Sequence, residues 1–216
     1  MQDRQNPSID SGCLVELRTI VKTYRSLRSL TCNLLERATI GDVEEIAQGQ
    51  LHIQRPGSIL IKTALNGVTN VSAMHNGRRL VKTARTVNVT KCDVSLRSLR
   101  LTLDASRSFV TPVVPILLTE DDAMKRLIPG GMLRVGRGTP HLMDGVQCET
   151  IAIDTRTSKG IARFVITVGQ RDHIIRKIDL TAPNPRGLMS LSSIYTQVRV
   201  DEPVPSTLFD QPFKNR

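Results

Sequence analysis

From Leu30 onward the chain alternates apolar and polar residues with a period of two, and short turn signals break the alternation at intervals. Leu30, Cys32 and Leu34 open the pattern. Ala47, Gly49, Leu51 and Ile53 then share one face, with Gln48, Gln50, His52 and Gln54 on the other. Arg55-Pro56-Gly57 turns the chain into Ile59 and Ile61, and Asn76-Gly77, a strong hairpin signal, joins residues 71–75 to residues 80–83. Val87 and Val89 carry the alternation to Cys92. It resumes over residues 132–135, 146–153, 162–168, 174–180 and 191–200. Such patterning predicts a meander of roughly eleven antiparallel strands. Residues 36–45 read as a polar turn around Gly41-Asp42, and residues 154–160 and 169–172 as polar loops.

Two stretches depart from this period. Residues 1–10 are polar and read as a disordered lead-in. After them Leu14, Leu17, Val21, Tyr24 and Leu27 recur at three- and four-residue steps, which predicts an amphipathic helix capped by Asp10 or Ser11. Between the two groups of strands, residues 93–130 form an insertion. Leu96, Leu99 and Leu103 have helical spacing, and "FVTPVVPILL" is apolar but broken by Pro112 and Pro115, so it reads as neither a regular helix nor a central strand. Thr119 with Glu120, Asp121 and Asp122 then starts a short helix. An irregular apolar segment between helices predicts a lid. The fold class is therefore mainly β (α+β): a half-open antiparallel barrel with an N-terminal helix and a helical insertion covering its mouth, in a single domain over residues 11–216.

Composition narrows the function. Thirty Lys and Arg against twenty Asp and Glu give a net charge of +10, which suits an anionic membrane surface or nucleic acid. The cations are scattered, however, and stacking aromatics are few, with no Trp, so no nucleic-acid partner is expected. Cys13, Cys32, Cys92 and Cys148 form no CxxC pair, which argues against zinc and thioredoxin chemistry; one disulfide among them fits an oxidising compartment. No run of about 18 apolar residues spans a membrane. "SGC" at residues 11–13 follows polar residues and is rejected as a lipoprotein cleavage site.

Catalytic and metal motifs are missing. His52, His75, His141 and His173 fall on separate elements. Glu44-Glu45 and Asp121-Asp122 suit a solvated strand edge and a helix start. "GMLRVGRG" lacks the Lys-Ser/Thr ending of a phosphate loop. No catalysis, metal or cofactor is expected. The scarcity of bulky side chains is more informative. A closed sheet of about eight strands is just filled by its side chains, and more strands enclose space. A wide sheet lined by Val, Ile and Leu should hold an apolar guest. The candidate lining is Leu51, Ile53, Ile59, Ile61, Val71, Phe164, Ile166 and Ile178, with the choice of inward face open by one register step.

The order of these features resembles the LolA/LolB-like lipoprotein-carrier superfamily. "GQLHIQRPGSILIK" is similar to its Arg-Pro hairpin, "HNGRRLV" to its next turn, and "RFVITVGQRDHIIRKI" to its late hairpin. "PSTLFDQPF" is similar to its terminal strand, and "LMDGVQCETIAID" looks like its uncharacterised periplasmic relatives. The resemblance runs from Leu14 to Phe213. It implies a periplasmic monomer, its signal peptide removed, that carries acyl chains of lipids or lipoproteins. The alternative it implies is an interaction module that senses envelope lipids or lipoproteins and signals through an envelope protein partner. It also implies a role for Arg55 at the rim of the ligand site: an arginine at this place ties the lid to its backbone carbonyls in the empty state.

Overall fold

The structure is a computed structural model, and it describes residues 8–95, 97–98, 101–102, 114, 117–118 and 131–214. Strands β1 (Ser8–Ile9), β2 (Ser29–Ile40), β3 (Val43–Gln54), β4 (Ser58–Leu65), β5 (Val68–His75), β6 (Arg78–Lys82) and β7 (Val87–Lys91) precede the insertion. After it come β8 (Met132–Arg137), β9 (His141–Met143), β10 (Val146–Thr157), β11 (Gly160–Gly169), β12 (Ile175–Asn184) and β13 (Gly187–Val200). Helix α1 (Ser11–Ser26) lies between β1 and β2, and helix α2 (Ser206–Lys214) ends the chain. All thirteen strands belong to one sheet, in the order β1-β8-β10-β11-β12-β13-β2-β3-β4-β5-β6-β7, with β9 paired to β10. Pairing is antiparallel except between β1 and β8. The sheet does not close on itself.

The two strands beyond the expected eleven are β1 and β9, of two and three residues, too short for alternation to show. Because β1 begins at Ser8, the lead-in read as disordered is paired from that point on; residues 1–7 lie outside the described ones. The polar turn expected over residues 36–45 and the loop over 154–160 are also strand. β2 runs to Ile40 and β10 to Thr157, and only Gly41-Asp42 and Ser158-Lys159 turn. Arg37, Thr39, Asp154 and Arg156 are the outward half of an alternation whose inward half, Glu36, Ala38 and Thr155, is buried. Their polarity hid the pattern.

Helix α1 starts where Asp10 accepts the Gly12 and Cys13 N–H groups, which holds that carboxyl below its ordinary value. Its buried face is Cys13, Leu17, Ile20 and Tyr24, with Leu14 and Val21 on the flanks. This helix makes the sheet curl. Twelve strands laid flat would span about 55 Å, and α1 is about 24 Å long. Yet Val135 of β8 and Met74 of β5, near opposite ends of the sheet, belong to the one core that contains the α1 face. The sheet therefore wraps the helix, which gives it a concave inner face. Gly49 permits tight coiling between β3 and β4, since a Cβ there would collide with the Lys62 carbonyl.

A second, smaller core lies on the outer face, where Leu60, Ala73 and Leu80 meet Val204 and Phe209. Residues 206–213, within a stretch that resembles a terminal strand, are thus helical, because Leu208, Phe209 and Phe213 share a helix face against β4–β6. In the insertion, Arg97, Ser98, Leu101, Thr102, Val114, Leu117 and Leu118 have helical backbone; the proline-broken segment is helical where it is described. Leu96, Leu99, Leu103 and the helix expected from Thr119 lie outside the described residues.

Candidate functional site: the inner face and its arginine

Register decides which side chains look inward. The β3–β4 hairpin pairs Leu51 with Ile61 and Ile53 with Ile59, and β2 sets Leu30 and Cys32 beside Ile53 and Leu51. Across the sheet, Ile178 pairs with Ile166, and Phe164 lies one step along the same face of β11. Leu51, Ile53, Ile59, Ile61, Ile166 and Ile178 are buried in the core with α1, and Phe164 packs against it. Val71 is not among them. The Asn66-Gly67 turn pairs Leu65 with Val68, so inward Ile61 meets Ser72 while Val71 meets Lys62. Val71 accordingly lies on the outer face, in the core under α2.

What covers the inner face is the chain itself. The α1 side chains and Val114, Leu117 and Leu118 of the insertion are buried against the strand residues named above. A groove of about 480 Å³, lined among others by Asn33, Gln48, Gln50, Lys62 and Thr69, lies on the outer side of the same strands.

Arg55 stands where β3 ends, level with the C-terminus of α1. Its Nη1 donates to the Arg25 carbonyl at 2.8 Å, and its Nη2 to the Tyr24 carbonyl at 3.3 Å and the Leu118 carbonyl at 2.9 Å. The first two acceptors exist because α1 stops at Ser26, leaving last-turn carbonyls without helical partners at the negative end of the helix dipole. The third belongs to the insertion. One guanidinium therefore joins strand, helix and insertion, a task suited to a planar fork of donors. Burial, and then the charge of Arg25, lower the Arg55 pKa. Its Nε has no hydrogen-bond partner, so the group is held by its two terminal nitrogens.

Ionisable groups elsewhere on the inner face are few. Glu149 is buried beside Arg137, 2.8 Å away. Arg176 is held by Asp172 and the Ile174 carbonyl, close to the Tyr24 hydroxyl, which accepts the Ile175 N–H at 3.2 Å. Glu36 is fully buried, and burial pushes its carboxyl up to about 8. Sequence reading missed Glu36 by assigning it to a turn, although continuing the Leu30-Cys32-Leu34 alternation by one step would have found it.

On the outer face Ser58 Oγ lies 2.7 Å from His75 Nδ1, and Asp210 Oδ1 lies 3.6 Å from His75 Nε2, with the imidazole stacked on Phe209. This arrangement ties α2 to β5. His173 bonds to Glu16 at 2.7 Å, and His141 is exposed. The four cysteines are free thiols. Among the described residues no group of His, Cys, Asp and Glu could hold a metal, and no helix is long and apolar enough to cross a membrane.

A wide half-open antiparallel sheet wrapped around one helix and covered by an insertion is the architecture expected from the sequence. No family model and no curated protein sequence matches the chain. Solved structures do. LprF from Mycobacterium bovis superposes with a TM-score of 0.55 at 8% identity, covering 93% of this chain and 97% of that one. MucB superposes at 0.54 with 9% identity over 94% of this chain and 64% of MucB, and the MucA/MucB complex of Pseudomonas aeruginosa at 0.52 with 11% identity over 92% and 60%. At these identities the likeness is one of fold. The chain spans about three-fifths of the length of the MucB structures it matches.

Proposed function

We propose that this protein is a non-catalytic carrier that holds acyl chains of lipids or lipoproteins against its inner face in a bacterial cell envelope. The observation that carries the reading is the Arg55 fork, which ties α1 and the insertion together at the edge of an apolar face. An acyl chain would replace Val114, Leu117 and Leu118 as the apolar cover, so guest and cover compete for the same strand residues. Each methylene buried is worth about 0.8 kcal/mol, and half of an ordinary lipid tail supplies useful affinity. Hydrophobic exchange alone does not favour the closed state, and Arg55 supplies a polar term present only when the site is shut. A net charge of +10 suits loading or delivery at an anionic membrane surface.

A pyrene-labelled dodecanoyl probe tests this. Saturable binding is expected, with displacement by an unlabelled acyl lipid. Arg55→Leu should remain folded and bind the probe about tenfold more tightly through faster association, because the closed empty state loses a charge-assisted hydrogen bond to the insertion worth roughly 1.5–3 kcal/mol. Absence of saturable binding removes the carrier reading, and equal affinity in the wild type and Arg55→Leu reduces Arg55 to a structural residue. The likeness to MucB, also seen in complex with MucA, favours a second reading, in which the same site senses envelope lipid and signals through a protein partner. A partner whose affinity changes when the acyl probe is bound would distinguish that role from carriage.

A further inference from the structure

Glu36 occupies an unusual place. Reading across the inner face at one level, the register gives Ile151 of β10, Ile166 of β11, Ile178 of β12, Ser193 of β13, Glu36 of β2 and Ala47 of β3. Five of these six are apolar or small, and the carboxyl is the sixth. It is 0% exposed. Its neighbours along β2 on the same face are Leu34 and Ala38, both buried. Ser193 Oγ donates to one carboxyl oxygen at 3.4 Å, a long bond, and the other oxygen, Oε2, has no partner. A carboxyl left half-unsatisfied in an apolar surface costs stability, which a purely structural role does not explain. Ser193 and Ala47, on either side of it, have the smallest side chains in the row.

We propose that Glu36 is the polar anchor of the acyl site, its carboxyl O–H donating a hydrogen bond to the ester carbonyl oxygen of a neutral acyl lipid. The inference rests on the carrier reading and adds the class of guest: an acyl ester, selected over a bare hydrocarbon by one donor in an apolar row. The role needs a protonated acid at neutral pH. Burial supplies it, raising the pKa to about 8, against a lowering by the Ser193 bond. No charged group among the described residues contributes to that shift. The elements beside Glu36 present Ser193 and Tyr195 from β13, Ala47 from β3 and Ile178 from β12. Of these only Tyr195 has an ionisable side chain. Arg176, two residues from Ile178, is engaged by Asp172.

The test compares two probes of equal chain length, pyrenedodecanoic acid methyl ester and the matching pyrenyl alkane. At about pH 6.5 the wild type should bind the ester about tenfold more tightly than the alkane, the size of one hydrogen bond. At about pH 9.5, where Glu36 is ionised, that preference should vanish while alkane binding holds. Glu36→Gln keeps an N–H donor and should retain the preference at both pH values. Glu36→Leu should lose it at both and still bind the alkane. An ester-to-alkane ratio that ignores pH in the wild type, or survives in Glu36→Leu, overturns the proposal and leaves the carrier reading standing. Equal loss of both probes at high pH would report loss of structure and also overturn it. Failure of both probes at every pH sinks both readings.

Discussion

A buried acid with one long hydrogen bond leaves a thermodynamic trace whatever its ligand. The Glu36 carboxyl titrates near 4.5 in an unfolded chain and near 8 in the folded protein. Between those values the unfolded chain has released the proton and the native protein still holds it, so folding takes one up. Stability should therefore fall as pH rises from about 4.5 to about 8 and level off above, by about 3 kcal/mol at neutral pH. Glu36→Gln has no proton to lose. Urea denaturation across this range should show the wild-type slope and a flatter profile in the variant; parallel profiles would mean that the acid is solvated in the native state. The position was legible in part. Period two was visible through Leu34, but charges at Arg37 and Glu44, which pair at 3.2 Å on the outside, made the continuation look like a loop. Arg55 was legible because a lone charge before Pro-Gly has few ways to leave a strand, whereas its helix acceptors depend on where α1 stops.

Hairpins were the most legible elements, since a two-residue turn fixes register without tertiary information. That same register displaced Val71: turns of two residues leave no freedom to choose which β5 side chains face inward. Helix α2 was the least legible. Nine residues containing Pro212 carry weak helical signal, and the helix exists because Phe209, 1% exposed, fills the second core. Phe209→Ala should thus cost about 3–5 kcal/mol and lower the melting temperature while leaving acyl binding intact, because the two cores lie on opposite faces of the sheet. Thermal melts paired with probe titration check both halves; weakened binding would show that the faces are coupled. The Ser58–His75–Asp210 contact belongs to this outer core as well. The His75 ring is stacked on Phe209, and a structural clasp predicts no acyl-ester turnover that depends on Ser58. Hydrolysis by the wild type that disappears in Ser58→Ala would reassign the clasp as a catalytic group.

At the scale of the whole molecule, the width of the sheet was legible from strand count, but its filling was not. The sequence implied an apolar interior with space for a guest. In the structure α1 and the insertion already cover the inner face, because a sheet wide enough to enclose a lipid is also wide enough to curl around its own helix. On the carrier reading a guest would require the cover to leave first, which would fix the kinetics. Mixed with excess fluorescent acyl probe, the protein should show an association rate that rises with probe concentration and then reaches a plateau set by opening. Arg55 holds the insertion at the Leu118 carbonyl, so Arg55→Leu should raise the plateau by about tenfold or more, the loss of one charge-assisted hydrogen bond. Ionic strength should change the plateau little, since the acceptors are carbonyls rather than carboxylates and the guanidinium is half-buried. A rate that stays linear in probe concentration, with the same slope in Arg55→Leu, would place the guest on a surface that needs no opening.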